Sequence, residues 1–479
     1  MLMIDKNAIE IAKGKLIEMM DSEVAFQILI QKGYLPNDAQ IAIDEALSQI
    51  KRENKNKVMR GRLGIFGLEL FDRIGFGLSS IQYTNIFFFL FGINLFIIGL
   101  IHGINLFIQL IVSFLFEGRR RLKNKTLSLF TKFLSIVFVL AMGVFSITSN
   151  KLGLLISFLF YSSFILIYSI KYNKVSYILL KSENRGFFIR HIALTGLIFT
   201  AIGIFLSAWI LDYFSFAQDL FGKIQIFQFS INSPAIIYFS SALMLFMAFL
   251  IMLFFRSKTT EDEPIPRIDI FTKISYAIKT LKEIFSDKKL MILSIGSIIS
   301  FIANILVNAY LGIFIYTSLS NTGFGAFRNV ALIFIIALFS SMLGPYIVRS
   351  NSRYIGKLPL LIFGTLLSAI LPFAVYFNRG LMSLAIATLL GILGSSIAES
   401  ALGMAFMDMI STEKRLAYFK SSSFIVSIPS IIFVALGALI AQFFGIQILF
   451  ISISILIAFV VVPMYFALLV IESTRKIVI

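Results

Sequence analysis

Few residues in this chain are able to do chemistry, and most of them sit on apolar segments. Glu399 lies with Thr388, Gly391 and Ser395 at spacings of three and four, which puts them on one helical face. An acid on such a stripe suits proton coupling, solute binding, or an ion-pair latch to Arg349 or Arg353. His102 is followed on its own face by Asn105 and Gln109. An imidazole there is suited to binding a solute or exchanging a proton near neutral pH, or to one structural hydrogen bond. Ser297, Ser300, Asn304 and Asn308 form a further stripe, and Ser79, Gln82, Tyr83 and Asn85 another. Each is either a binding surface or a set of interhelical hydrogen bonds, which small polar residues commonly make in membrane bundles.

The elements that position these residues are membrane helices. The chain is 58% hydrophobic, with mean hydropathy +0.92. From Phe71 to Val470 it is a series of apolar runs, each roughly 20–25 residues long, enough to cross a hydrocarbon core as helix. The runs are continuous rather than alternating, which excludes a barrel. The pattern predicts twelve spans: 70–91, 93–116, 127–149, 152–172, 190–212, 232–255, 290–317, 327–348, 358–377, 381–403, 421–443 and 446–471. No signal peptide is read at the start, because Met1 to Glu10 mixes charged and apolar positions.

The net charge of +17 is distributed by topology. One set of loops carries Arg119, Arg120, Arg121, Lys123 and Lys125, then Lys171 to Arg190, Arg349, Arg353 and Lys357, and Lys414, Arg415 and Lys420. The connection 256–289 adds a further basic group, and Lys132 leans the same way. The other set holds only Lys151, Lys223, Arg328 and Arg379. The positive-inside rule places the basic set and both termini in the cytoplasm of a cell-membrane protein, facing an anionic inner leaflet. Nucleic-acid binding is not expected. There are no cysteines, and the only histidines are His102 and His191, so disulfides, thiol chemistry and a histidine metal cluster are not expected. No ATP motif is present, and no cofactor is expected.

Residues 1–63 read as a cytoplasmic helical domain. Ile9, Ala12, Leu16 and Met20 recur at helical spacing, Gly33-Tyr34 breaks the chain, and Asn37 with Gln40 has a capping-box pattern. Leu29 to Tyr34 followed by Ala46-Leu47 loosely resembles ubiquitin-associated-type three-helix domains; a generic helical cap accounts for the same residues. Such a domain allows for an unknown cytoplasmic partner. Residues 64–255 and 290–472 form two six-helix halves, and 473–479 is a tail. The linker 256–289 carries an amphipathic stretch, Phe271, Ile274, Ile278, Leu281 and Phe285, expected to lie on the inner surface. A shift of 230 positions lays the first half on the second: Glu183 falls on Glu413, Arg185 on Arg415, Ile210 on Ile440, and Arg119 on Arg349. This is a parallel repeat.

On these features the chain resembles the major facilitator superfamily over roughly 70–472. The family's basic signature after its second span has a degenerate copy at Ser113 to Lys123, with Glu117 and Arg119, and another at Gly344 to Arg353. Ser113 replaces a glycine and Val348 an acid, so no subfamily is assigned, and the glycine-proline-glycine signature of drug–proton antiporters is missing from the fifth span. The resemblance implies an all-α fold of two six-helix halves. It also implies alternating-access transport, with spans one, four, seven and ten lining a cavity. The cavity candidates are then Gln82, Asn85, His102, Asn105, Gln109, Asn304, Asn308 and Ser395. The gate or latch candidates are Glu117, Arg119, Arg349, Arg353 and Glu399.

The expected function is secondary or facilitative transport of a small solute by a monomer. The alternatives are a lipid or amphipath flippase and a non-transporting sensor signalling through 1–63. An enzyme such as a lipid-linked glycosyltransferase is not expected, since the outer loops offer only Asp212 and Asp219 as acids. No acid is placed deep in the first half, Asp72 and Arg73 being set at the watery interface, so the solute is expected to be neutral, weakly charged or amphipathic. Trp209 suits an outer-interface anchor.

Overall fold

The computed structural model describes residues 36–116, 124–179, 185–215, 223–226, 229–254, 282–320, 323–377, 380–410 and 412–477, with a few single positions elsewhere. In chain order the helices are α1 (Pro36–Leu78), α2 (Ile81–Leu90), α3 (Leu95–Phe116), α4 (Asn124–Ile147), α5 (Lys151–Leu179) and α6 (Arg185–Ser215). A short hairpin, β1 (Lys223–Ile226) with β2 (Phe229–Asn232), leads into α7 (Ser233–Phe254). Next come α8 (Lys288–Ser318), α9 (Ala326–Asn351), α10 (Lys357–Ser368), α11 (Ile370–Phe377) and α12 (Leu381–Met409). The chain ends with α13 (Thr412–Phe444), α14 (Ile446–Leu456), a wider turn at Ile457–Val461, and α15 (Val462–Ile477). The hairpin is an addition to the all-α expectation.

Among the described residues, eleven helices are long and apolar enough to cross a membrane, so the protein is a multi-pass membrane protein. The expected first span is where the count differs. Residues 70–91 are not one helix: α1 ends at Leu78, Ser80 is extended at φ −57° and ψ 146°, and α2 has only ten residues. Such a break leaves carbonyls short of partners in a medium without water. The Ser207 hydroxyl donates to the Leu78 carbonyl at 3.0 Å, and the Ser241 hydroxyl adds a second bond at 2.8 Å to the Gly75 carbonyl, which also accepts from the Ser79 N–H. A second break, between α10 and α11, has a local cause in Pro372, which cannot donate to the carbonyl of Ser368. Ser454 donates to the Ala369 carbonyl there at 3.0 Å.

The chain divides into two compact units, Met1–Gly67 and Leu68–Ile479, with the boundary inside α1. In the first, Ala42, Ile43 and Ala46 are buried. The helix begins at Pro36, so Asn37 lies within its first turn rather than capping it; proline is well suited to that first position. Most residues of 1–35 and of the 256–289 linker lie outside the described residues. Of the amphipathic stretch, Ile278 and Phe285 are described and exposed.

Within the second unit the helices have two ends. One carries the connections rich in lysine and arginine and is called here the basic end; the other is the opposite end. Groups of buried side chains among the described residues divide between them. The largest includes Tyr83, Phe87 and Leu211 from the first half with Tyr310, Phe327 and Ala438 from the second, all toward the opposite end. Toward the basic end the cores are separate among the described residues. Leu68, Tyr168 and Met252 form one within the first half, and Leu293, Val348, Ala401 and Tyr465 belong to another within the second. The two halves therefore share a core at one end and keep their own at the other.

Close helix contacts fix this arrangement. A Cβ on Gly77 of α1 would stand 2.4 Å from the Thr200 carbonyl of α6, and one on Gly203 would stand 2.5 Å from the Ile74 carbonyl. The backbones touch, so Gly77→Val is expected to destabilise by about 1–3 kcal/mol through overpacking. Gly403, with nothing within 4 Å of its would-be Cβ, should accept alanine with no loss or a small gain from helix propensity. Thermal unfolding of the two variants in detergent checks the contrast.

Candidate functional site

Polar residues of the second half face open space. Ser297, Ser300 and Asn304 of α8, Thr365 of α10, and Ser395 and Glu399 of α12 line a cavity with about 180 Å³ of room for water-sized molecules. Leu361, Leu371, Pro372, Ile392 and Ile457 supply apolar wall. The helical spacing of the α8 and α12 stripes is what brings Ser297, Ser300 and Asn304 to one side and Ser395 and Glu399 to another. Asn304 Nδ2 lies 3.1 Å from Ser395 Oγ, tying the two stripes together. Asn308 is exposed on α8 but is not among the lining residues. The cavity lies among helices of the second half alone, including α10 and the turn before α15.

The first-half candidates are placed differently. Asn85 is fully buried and makes two bonds: Nδ2 donates to the Ala309 carbonyl of α8 at 3.1 Å, and Oδ1 lies 3.0 Å from His102 Nε2. With the amide oxygen facing the ring, His102 donates through Nε2. Asn105 Oδ1 accepts from the Ser162 hydroxyl at 2.8 Å, and the Tyr83 hydroxyl donates to the Ile204 carbonyl at 2.8 Å. Ser79 Oγ is 2.7 Å from Tyr161 Oη. In this conformation the group is interhelical bonding, and Asn85 bridges the two halves. Gln82 and Gln109 are half-buried, and the Gln82 backbone packs near Gly312.

Of the latch candidates, Glu117 and Arg119 lie outside the described residues. Arg349 and Arg353 are exposed at the basic end, and neither forms an ion pair with a described residue. Glu399 likewise has none, so no latch between it and those arginines is made here.

Two ionic groups escaped the sequence reading. Asp72 was expected at the watery interface and Lys132 among the topology charges. Instead Asp72 is 3% exposed, Lys132 is buried and pairs with it, and Tyr168 donates to its other oxygen at 2.6 Å. Lys132 also sits 4.9 Å over the Phe76 ring. This corrects the expectation that Asp72 reaches water: it is buried toward the basic end and neutralised on the spot by a neighbouring helix. Opposite charges on nearby spans were the available signal, but only packing brings them together.

The second group closes the opposite end. Asp212 of α6 is 3% exposed and accepts from the backbone N–H groups of Phe327 and Arg328 at 2.9 Å each. Its Oδ2 also accepts from Arg328 Nε at 2.9 Å. A carboxylate of one half thus caps the start of α9 in the other, where the unpaired N–H groups and the helix dipole favour negative charge. Gly325 makes the approach possible: its φ is +137°, and a Cβ there would stand 2.5 Å from Asp212 Oδ2. The repeat shift carries Asp212 onto Gln442. The Gln442 side-chain oxygen accepts from the Phe96 N–H, at the start of α3, at 3.3 Å. Each half therefore caps a helix start of the other from the matching position. Beside this second cap, the Tyr310 hydroxyl donates to the Leu95 carbonyl at 2.9 Å, and a Cβ on Gly99 would meet Ala438 at 2.4 Å.

The two caps should differ in strength. Asp212→Ala leaves the N–H groups of Phe327 and Arg328 without their side-chain acceptor and is expected to cost about 2–4 kcal/mol. Arg328→Ala leaves both backbone bonds, and at 35% side-chain exposure the lost pair should cost no more than about 1 kcal/mol. Gln442→Ala removes one neutral bond, about 1 kcal/mol. Thermal unfolding of the three variants orders them.

No family model and no curated protein sequence matches the chain. Solved structures do. One is a mutant form of the nucleoside transporter NupG, with TM-score 0.65 and 14% identity over 84% of this chain and 99% of that one. Another is a bacterial homologue of the iron transporter ferroportin in an inward-facing state, with TM-score 0.64 and 12% identity over 86% and 98%. A third is a POT family transporter in complex with 5-aminolevulinic acid, with TM-score 0.62 and 11% identity over 87% and 96%. At these identities the likeness speaks for the fold, and it spans nearly the whole of each transporter: the chain is a divergent protein of the major facilitator fold.

Proposed function

We propose that the protein carries a small solute across a membrane by alternating access, with the described conformation open at the basic end. The observation that carries this reading is the one-sided joining of the halves: a shared core and reciprocal helix caps at one end, separate cores and a polar cavity at the other. Two rigid units joined at one end are the geometry a rocking motion needs. The positive-inside rule, applied to the basic loops, supports reading the open end as cytoplasmic and the conformation as inward-open. Similarity along most of the chain to transporters of different solutes supports transport as the general activity.

In this mechanism the solute enters the cavity between α8, α10 and α12 and draws the basic ends of the halves together. The caps at Asp212 and Gln442 then part, and the opposite end opens. Breaking the Asp212 cap leaves a carboxylate and a helix start to be hydrated, which water entering the opened end supplies. Its loss in a variant should therefore favour the outward-open form.

The absence of cysteine makes the test direct. Asn304→Cys is labelled with a membrane-impermeant maleimide from each face of oriented vesicles, with loop cysteines as controls. Labelling is expected mainly from the cytoplasmic face in the wild-type background, and from the outer face as well when Asp212→Asn is added. Access from one face in both backgrounds would mean a static protein. Access from neither would remove the cavity assignment.

A further inference from the structure

The acids of the membrane helices differ in one respect. Glu69 pairs with Arg73 at 3.0 Å, Asp72 with Lys132, Asp212 with Arg328 at 2.9 Å, and Asp408 with Lys357. Glu472 lies at the very end of the last span, at the basic end. Glu399 lies inside its span and has no ion-pair partner among the described residues. Among those residues it is also the only charged one lining the cavity. A carboxylate kept within a membrane protein without a counter-charge is costly, and it is retained where water or a ligand reaches it.

The rest of the cavity's polar surface points the same way. Ser297 donates its hydroxyl proton to the Ser294 carbonyl at 2.8 Å, and Thr365 donates to the Leu361 carbonyl at 2.7 Å. Ser368 donates to the Thr365 carbonyl at 2.7 Å. Ser395 and Asn304 are engaged with each other. With the protons of Ser297, Thr365 and Ser368 turned back into the helices, what those hydroxyls offer the cavity is lone pairs. Beside the Asn304 amide and the Ser300 and Tyr465 hydroxyls, the cavity presents these acceptors and one negative charge, against apolar wall from Leu361, Leu371 and Ile457.

We infer that the cavity takes an organic monocation: a protonated amine next to Glu399, with an apolar body lying on the α10–α11 wall. An ammonium brings three donors and no acceptor, the complement of the Glu399 carboxylate and of those lone pairs. This rests on the transport reading for the identity of the cavity and adds the charge class of what fills it. Of the expected neutral, weakly charged or amphipathic solute it keeps the amphipathic character and replaces neutrality with one positive charge.

The test uses three probes of similar shape and different charge: 2-phenylethylammonium, 2-phenylethanol and 3-phenylpropionate. Equilibrium binding is measured to the full chain in nanodiscs of zwitterionic lipid, with empty nanodiscs subtracted. The ammonium is expected to bind about tenfold or more tighter than the alcohol, and the anion weakest, as one charge-assisted hydrogen bond in a sheltered site would give. Glu399→Gln should erase the cation's advantage while leaving the alcohol's affinity unchanged, which also shows that the variant is folded. Equal binding of the three probes, no binding of any, or a cation preference that survives Glu399→Gln overturns the inference. So does proton uptake by the wild type and not by Glu399→Gln without any cation preference, which would make Glu399 a proton-exchange acid instead. None of these measurements needs the cavity to change sides, so they fail or succeed separately from the labelling of Asn304→Cys.

Discussion

A helix that starts inside a low-dielectric body must find acceptors for its first N–H groups, and much of this architecture follows from how two helix starts find theirs. α3 has a cap of its own in Asn94, whose Oδ1 accepts from the Ile97 N–H at 2.9 Å, and Gln442 of the other half adds a further acceptor; α9, which starts after Gly325, takes its side-chain cap from the other half through Asp212. The bonds to Gln442 and Asp212 run between the halves, so they hold the two together only where those helix starts lie, at the end opposite the basic loops. Between helices surrounded by lipid there is little hydrophobic drive to add to this. Interhelical polar bonds and close glycine contacts decide where the halves stay joined and where they part.

The same economy is seen at the chain breaks. At the end of α1 the Leu78 carbonyl is met by the Ser207 hydroxyl of another helix, and serines from other helices add second bonds to the Gly75 and Ala369 carbonyls beside the two breaks. Charges are handled in a similar way. Asp72 with Lys132 and Tyr168 forms a neutral knot inside the first half, which explains why that half offers no open charged cavity among the described residues. The second half has no corresponding counter-ion for Glu399 among the described residues, so its only in-cavity charge is left available. The asymmetry between two related halves is therefore one of charge compensation more than of backbone.

The polar stripes show how a sequence pattern is limited. The stripes on α8 and on α2–α3 look alike in sequence, each a run of serine, asparagine or glutamine at helical spacing. Packing sends them to different fates: Asn304 to the cavity lining, Asn85 and His102 to the joint between the halves. A helical period says which residues share a face. It does not say whether that face meets water or another helix.

That the chain crosses a membrane repeatedly as helices was legible in the order of its residues, because apolar length and the need to satisfy the backbone leave no other choice. The internal repeat was legible too, with Asp212 and Gln442 already in matching places, and Glu399 stood out as the acid to weigh. Folding had to show that Asp72 and Lys132 neutralise each other and that Asp212 caps a helix of the other half. It also had to show that the first expected span is broken at Ser79 and Ser80. Charge pairing, capping and the completion of broken helices depend on distances of a few ångströms between segments far apart in the chain, and local periodicity contains no such distances.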